Sequence, residues 1–306
     1  MAAATTVDIE GRQLKLSNLD KVLYPEVGFT KGEVIAYYQR ISPTLLPHLA
    51  SRPLTLKRYP NGVEGEFFYE KRCPSHRPEW VQTIPIHSSR NKGVVPYCVV
   101  DSLATLVWVA NLASLELHTS LSHGDEILRP RMLVFDLDPG PPADIVQCCE
   151  VALRLQALFD RMGLVSIAKT SGSKGLQVYV PLNTPDVRYD NGTKDFALAV
   201  AQSFEQRLPD QVVSSMKKDL RPGKVLIDWS QNDEHKTTVN VYSLRAKPRP
   251  TVSTPVTWEE VEACAEAADA SMLVFTADDV IERVGRMGDL FAPAVELEQE
   301  LPALSP

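Results

Sequence analysis

The 306-residue chain contains no run of about 18 consecutive apolar residues, so it offers no membrane-spanning helix. Its first six residues are small and uncharged and lack the basic start and apolar stretch of a secretory signal. Cysteine is sparse. Five residues, Cys73, Cys98, Cys148, Cys149 and Cys264, form an odd, scattered set that does not read as a disulfide framework. Free thiols and a cytoplasmic location are the expectation. Cys73-Pro-Ser-His76 has no second ligand pair at zinc spacing, which argues against a structural zinc site. Internal repeats and low-complexity tracts are missing too. Positive charge is in deficit, with a net of −7.

That deficit is local. Residues 11–92 carry 13 Lys/Arg against 7 Asp/Glu, and residues 169–249 carry 13 against 9, whereas residues 250–306 carry 2 against 12. Fields are screened beyond about 8–10 Å at physiological salt, so only local charge meets a phosphate. Two basic segments and an acidic tail are compatible with a nucleic-acid partner and do not prove one.

The pattern of apolar residues divides the chain into three: 1–125, 126–250 and 251–306. In the first part, residues 31–40 have helical spacing with Thr30 and Glu33 placed as a capping box. Residues 53–59 alternate like a strand, and 101–116 read as a buried helix. The second part runs strand (131–135), helix (143–162, stopped by Gly163), strands (165–170 and 176–181), helix (193–208), strands (224–229 and 237–242). This order predicts an α+β, RRM-like sheet covered by helices. The acidic third part reads as two helices, 258–268 and 277–286, with a loosely ordered end from residue 292.

Asp136-Leu-Asp138 follows the apolar strand, and residues two apart in a strand share a face. Two adjacent carboxylates are costly unless a hard cation lies between them; alternatively the motif only caps a turn. Asp228 ends a second apolar strand, where an isolated acid is expensive unless it faces a site. Three such carboxylates would form the metal cradle for nucleotidyl transfer. Ser171-Gly-Ser-Lys174-Gly is a tight turn whose glycines let a phosphate approach and whose Ser171 and Lys174 supply a hydroxyl and a cation; a plain hairpin turn is the other reading. It is not a Walker A loop, because the spacing differs and no helix follows. Lys57, Arg58 and Arg245 at strand ends are either surface charges or phosphate ligands. His118 is either a satisfied, partly buried histidine or a member of the same site. Of Phe67 and Phe68, neighbours in a strand, one ring belongs to the core and the other is free to stack on a base.

The set VFDLDPG (134–140), SGSKGLQVYVPL (171–182), VLIDWSQN (225–232) and TTVNVYSLRAKPRPTVSTPVTWEEV (237–261), with LDKVLYPEVGFTKGEVIAYY (19–38) and RPLTLKRYPNG (52–62), resembles the polymerase domain of bacterial ligase D, within the archaeo-eukaryotic primase superfamily. The resemblance covers about residues 8–290. It implies an α/β primase-polymerase fold, with an N-terminal α/β subdomain for DNA-end and nucleotide contacts packed on the RRM-like catalytic subdomain. Asp136, Asp138 and Asp228 would hold two Mn²⁺ or Mg²⁺ ions. Ser171, Lys174, Lys57, His118 and Arg245 would hold the nucleoside triphosphate, and Arg221 would lie near the template or active site. Phe67 or Phe68 would stack on the nascent pair, and Lys21 and Lys31 would bind a DNA 5′-phosphate. The implied activity is template-dependent addition of nucleotides, ribonucleotides by preference, in gap filling and end extension during DNA repair. A stand-alone paralogue working at the nucleoid with a separate ligase and an end-binding protein is expected, with no membrane partner. The resemblance departs at Gln177, where the family has histidine; glutamine keeps a donor but cannot become a cation. A DNA end-binding or synapsis module with weak catalysis is the alternative.

Overall fold

The computed structural model describes residues 5–88 and 93–302. One antiparallel-rich sheet places its strands in the order Val212–Val213, Val225–Asp228, Met132–Pro139, Leu176–Pro181, Ile167–Thr170, Pro255–Val256. Period-two alternation explains what each face does. Leu133, Phe135 and Leu137, with Leu176, Val178 and Val180, point into a core shared with the helices Ile145–Arg161 and Lys194–Arg207. Met132, Val134 and Tyr179 point the other way, into a second core. Asp136 and Asp138 continue that second row. The apolar residues between them therefore fix which face the carboxylates take.

The second sheet runs Thr238–Val239, Ser114–Thr119, Leu54–Arg58, Gly93–Cys98, Thr83–Ser88, with Phe68–Glu70 also paired to Leu54–Arg58. The helices Lys31–Leu49 and Leu103–Asn111 pack on it. The capping box at Thr30 and Glu33 forms as its sequence suggests. The C-terminal segment belongs to both cores: Val261 and Cys264 pack in the first, and Ala277, Val280 and Phe291 in the second.

Several expectations are corrected. The segment 101–116 is not one helix: it stops at Asn111, Ala113 turns with φ 57°, and Ser114–Thr119 is a strand. Leu115 and Leu117 suit a helix or a strand equally over so short a run. Their burial in the sheet core selects the strand. The strand expected at 131–135 extends to Pro139, which puts both aspartates inside it. The strand expected at 237–242 shrinks to Thr238–Val239. The expected looseness from residue 292 is not found over residues 293–299. Pro293–Glu296 is helical, and Gln299 bonds Leu182 O, Pro181 O and Val165 N at 2.7–2.9 Å. Cys73 and Cys98 are joined by a disulfide, whereas Cys148, Cys149 and Cys264 are free and buried. The pairing arises because the loop before residue 81 folds back along the Gly93–Cys98 strand, with Cys73 N donating to Pro96 O, a contact that residue spacing does not reveal. Among the described residues no helix is long and apolar enough to cross a membrane.

The central strand has one gap in its ladder. Val225–Asp228 pairs only with its second half, residues 136–139. Asn232 fills the gap: its side chain accepts from Val134 N at 2.9 Å and donates to Val134 O at 2.7 Å, fully buried. Asn232→Ala would orphan both backbone groups, at a cost of roughly 2–4 kcal/mol. Urea denaturation should show that loss; a change within experimental error would mean that water takes over the side chain's role.

Candidate active site

Asp136 and Asp138 open into a cleft of about 230 Å³ lined also by His118, Ser171, Lys174, Gln177 and Arg245. Burial is the largest influence on Asp136 and raises its pKa, and the Asp138 charge raises it further; the Gln177 amide opposes both. Burial and then Asp228 likewise raise Asp138, against Arg221 and Arg245. Each carboxylate thus sits where a neighbouring negative charge is unwelcome and a cation would be favoured.

Asp228 stands directly across from Asp136 in the ladder. Its carboxylate is engaged locally: Oδ1 accepts from Ser230 N (3.0 Å) and Ser230 Oγ (2.6 Å), and Oδ2 from Gln231 Nε2 (2.9 Å). It does not line the cleft, and the three carboxylates do not converge within 4.8 Å of one another. Among the described residues a tighter cluster, Asp233, Glu234 and His235, lies on the following loop, with Asp233 already bonded to Lys194 at 2.7 Å.

The SGSKG turn is clamped over the aspartate strand. A Cβ on Gly175 would meet Leu137 O at 2.1 Å, and one on Gly172 (φ +66°) would meet the Val252 backbone at 2.6 Å. Both positions need glycine for close approach, and Gly172 also for its backbone conformation. Ser171 Oγ accepts from the backbone N–H of Ser173 (3.2 Å) and Gly175 (3.1 Å), holding the loop, and Arg245 donates to Ser171 O. Lys174 remains exposed at the rim.

Glu116, only 2% exposed, organises the other wall. It lies two residues from His118 on one strand and opposite Lys57 on the next. His118 Nε2 is 2.9 Å away, Lys57 Nζ 3.4 Å and Arg245 Nε 3.5 Å, and Ala246 N donates at 3.1 Å. Burial would raise its pKa, but His118, Arg245 and Lys57 together hold it well below the usual carboxylate range. Burial, only partly offset by Glu116, pushes the His118 pKa down. Residue-by-residue reading missed Glu116 because a helix was expected there. It also passed over Lys247, whose pKa is lowered by burial and then by Arg245 and Lys174.

Phe67 and Phe68 do not divide into core and surface: they are 51% and 43% exposed. Phe68 begins the short Phe68–Glu70 strand and Phe67 precedes it, so strand alternation does not assign the two rings to opposite faces. Lys57 Nζ lies 4.5 Å from the Phe67 ring and the Arg58 guanidinium 5.1 Å from Phe68. Tyr69, not singled out by sequence, extends the aromatic surface to His118 at 5.9 Å.

Lys21 and Lys31 are joined by a 2.8 Å bond from Lys31 N to Lys21 O. Lys31 is 5% exposed and donates to Ser17 O at 2.6 Å, while Lys21 reaches Asn61 at 3.0 Å. Burial, with Lys21 and Arg58 nearby, lowers Lys31 to about 8. The helix N-terminus itself has no free donors in its first turn to offer an anion. Lys31 N, Gly32 N and Glu33 N are taken by Lys21 O, Leu19 O and Thr30 Oγ1.

Carboxylates on a central strand thus face a glycine turn and a basic wall, a setting suited to a phosphate-bearing substrate with a cation. A profile of the LigD primase-polymerase domain matches residues 30–291, and the chain belongs to that family. It is 43% identical over 284 residues to the multifunctional non-homologous end joining protein LigD of Mycolicibacterium smegmatis, covering 92% of this chain and 36% of that protein. It is 32% identical over 276 residues to the bifunctional LigD of Bacillus subtilis, covering 90% of this chain and 43% of that protein. The chain therefore spans less than half the length of these relatives. The polymerase domain from Mycobacterium tuberculosis ligase D in complex with DNA superposes with a TM-score of 0.83 at 40% identity, covering 94% of this chain and 99% of that one.

Proposed function

We propose that this chain is a template-dependent primase-polymerase that adds nucleotides, ribonucleotides by preference, at gaps and broken ends of DNA. The observation that supports this reading best is the meeting of Asp136 and Asp138 with Ser171, Lys174, His118 and Arg245 in one cleft. Oxygen donors whose ionised forms repel one another suit hard divalent cations, so the donor set fits two Mn²⁺ or Mg²⁺ ions. Asp136 and Asp138 would hold them, with Asp228 joining by turning from its Ser230 contacts. Such ions activate a 3′-hydroxyl and neutralise the triphosphate and departing pyrophosphate.

Lys174, Arg245, His118 and Lys57 surround the triphosphate in this reading, with Ser171 shaping the loop beneath it. Phe67 and Phe68 give a stacking surface for the nascent base pair. Lys21 and Lys31 take the 5′-phosphate on the far side of a gap: two ammonium groups close enough to repel, with no acidic partner among the described residues, suit that dianion. The solved relative's complex with DNA agrees with such a substrate. The relatives' end-joining names suggest a role beside a DNA ligase and an end-binding protein, at the nucleoid.

One experiment tests the whole reading: incorporation of ribo- and deoxyribonucleotides with Mn²⁺ or Mg²⁺ on gapped duplexes bearing a 5′-phosphate or a 5′-hydroxyl. Incorporation is expected, faster with ribonucleotides. The phosphorylated gap should bind roughly tenfold more tightly, the worth of one charge-assisted bond of about 1.5 kcal/mol. Replacing Lys21 and Lys31 together by Ala should erase that preference and spare extension of a simple primer-template. A folded protein that binds gapped DNA and incorporates nothing would make it an end-binding module instead.

A further inference from the structure

Beneath the cleft lies a lysine that no phosphate can reach. Lys169 is 1% exposed. An ammonium has three protons to donate and nothing to accept with, and here all three find acceptors inside the protein: Gln177 Oε1 (2.5 Å), Ser253 Oγ (2.7 Å) and Val239 O (3.1 Å). Gln177 Oε1 also accepts from the Tyr179 hydroxyl at 3.0 Å. Two donors on the carbonyl oxygen leave one orientation for this amide, with its NH₂ end turned away from Lys169. Lys169, Gln177, Asp136 and Asp228 lie in register across four neighbouring strands. The group facing that NH₂ end is thus the Asp136 carboxylate.

We propose that Lys169 is a positioning residue for Asp136, locking the Gln177 amide so that it donates to the carboxylate and holds its free oxygen lone pairs toward a divalent cation. The inference rests on the metal-site reading above. A lysine–glutamine–aspartate row is a support for a metal ligand, and such supports hold a ligand's orientation as much as its charge. If Lys169 acted only as a nearby positive charge, removing it would strengthen cation binding. If it acts by orienting the amide, removal weakens binding, because the freed amide can turn its oxygen toward Asp136.

Mn²⁺ binding by the full chain, followed through the EPR signal of the free ion, separates these signs without any turnover. The proteins are the unaltered chain, Asp136→Asn, Lys169→Met, Gln177→Leu and the Lys169→Met/Gln177→Leu double variant, each checked for folding by circular dichroism. Lys169→Met and Gln177→Leu are each expected to weaken binding by about tenfold or more. The double variant should be no weaker than the weaker single one, because one residue acts through the other. Lys169→Met binding Mn²⁺ as well as or better than the unaltered chain, or two losses that multiply in the double variant, would overturn the proposal. Should Lys169→Met fail to fold, Gln177→Leu decides: a tenfold loss supports the row and unchanged affinity overturns it. A chain whose Mn²⁺ binding does not depend on Asp136 removes the metal-site reading itself, a different failure from an intact, Asp136-dependent site that ignores Gln177.

Discussion

Asp136→Asn is expected to lower nucleotide incorporation by on the order of 10²–10³-fold or more while leaving the protein at least as stable as before. The two halves of this expectation have one cause. Burial and the Asp138 charge both raise the Asp136 pKa, so in the folded protein without a cation the ionised form is disfavoured. An amide of the same shape removes that repulsion and keeps a polar group opposite Gln177. Asp228→Ala should differ, because the Asp228 carboxylate accepts three hydrogen bonds from Ser230 and Gln231 and caps the turn that follows. Its loss should also cost about 1 kcal/mol of stability. Single-turnover incorporation and calorimetric melting measure the two effects. An Asp136→Asn protein that polymerises at the normal rate would remove the carboxylate cleft as the seat of the chemistry.

The catalytic sheet was legible because its strands are simple. Only the end of RMLVFDLD alternates, and there Phe135 and Leu137 take one face and Asp136 and Asp138 the other. The capping box at Thr30, the helix stopped at Gly163 and the two glycines of the SGSKG turn are likewise local devices, written in adjacent residues. What failed was set by contacts distant in sequence. Glu116 lies in a stretch whose apolar spacing fits a helix, and only pairing with Leu54–Arg58 makes it a strand. Phe67 and Phe68 are both exposed because the strand begins only at Phe68, a boundary that the dipeptide does not reveal. The Cys73–Cys98 bond joins a loop to a strand 25 residues away. Lys31 looks like any surface lysine until Ser17 is found against it. The family resemblance named most of the cleft residues in advance, but neither it nor the spacing pointed to Lys169, which acts from inside the sheet.

Glu116→Gln should be the most destabilising single change in the basic wall. The carboxylate is buried among His118, Lys57 and Arg245, and also takes Ala246 N. Removing its charge leaves three basic groups facing one another, and breaking a buried ion pair from one side costs about 3–5 kcal/mol. The pH dependence has a definite sign. His118, Arg245 and Lys57 overcome burial and hold the Glu116 carboxyl below its ordinary range, so its contribution is fully present above the unfolded value of about 4.3 and is lost as pH falls below that. Urea denaturation from pH 7 down to pH 3 should therefore show a gap between the unaltered protein and Glu116→Gln that is constant near neutrality and narrows below about pH 4.3. Inorganic triphosphate supplies a second readout. If Glu116 holds these side chains apart until a substrate's phosphates arrive, the added anion replaces the missing charge. It should then raise the melting temperature of Glu116→Gln more than that of the unaltered protein, because binding to the folded state alone stabilises it. Equal shifts in the two proteins would mean that Glu116 supports the fold without preparing the triphosphate site.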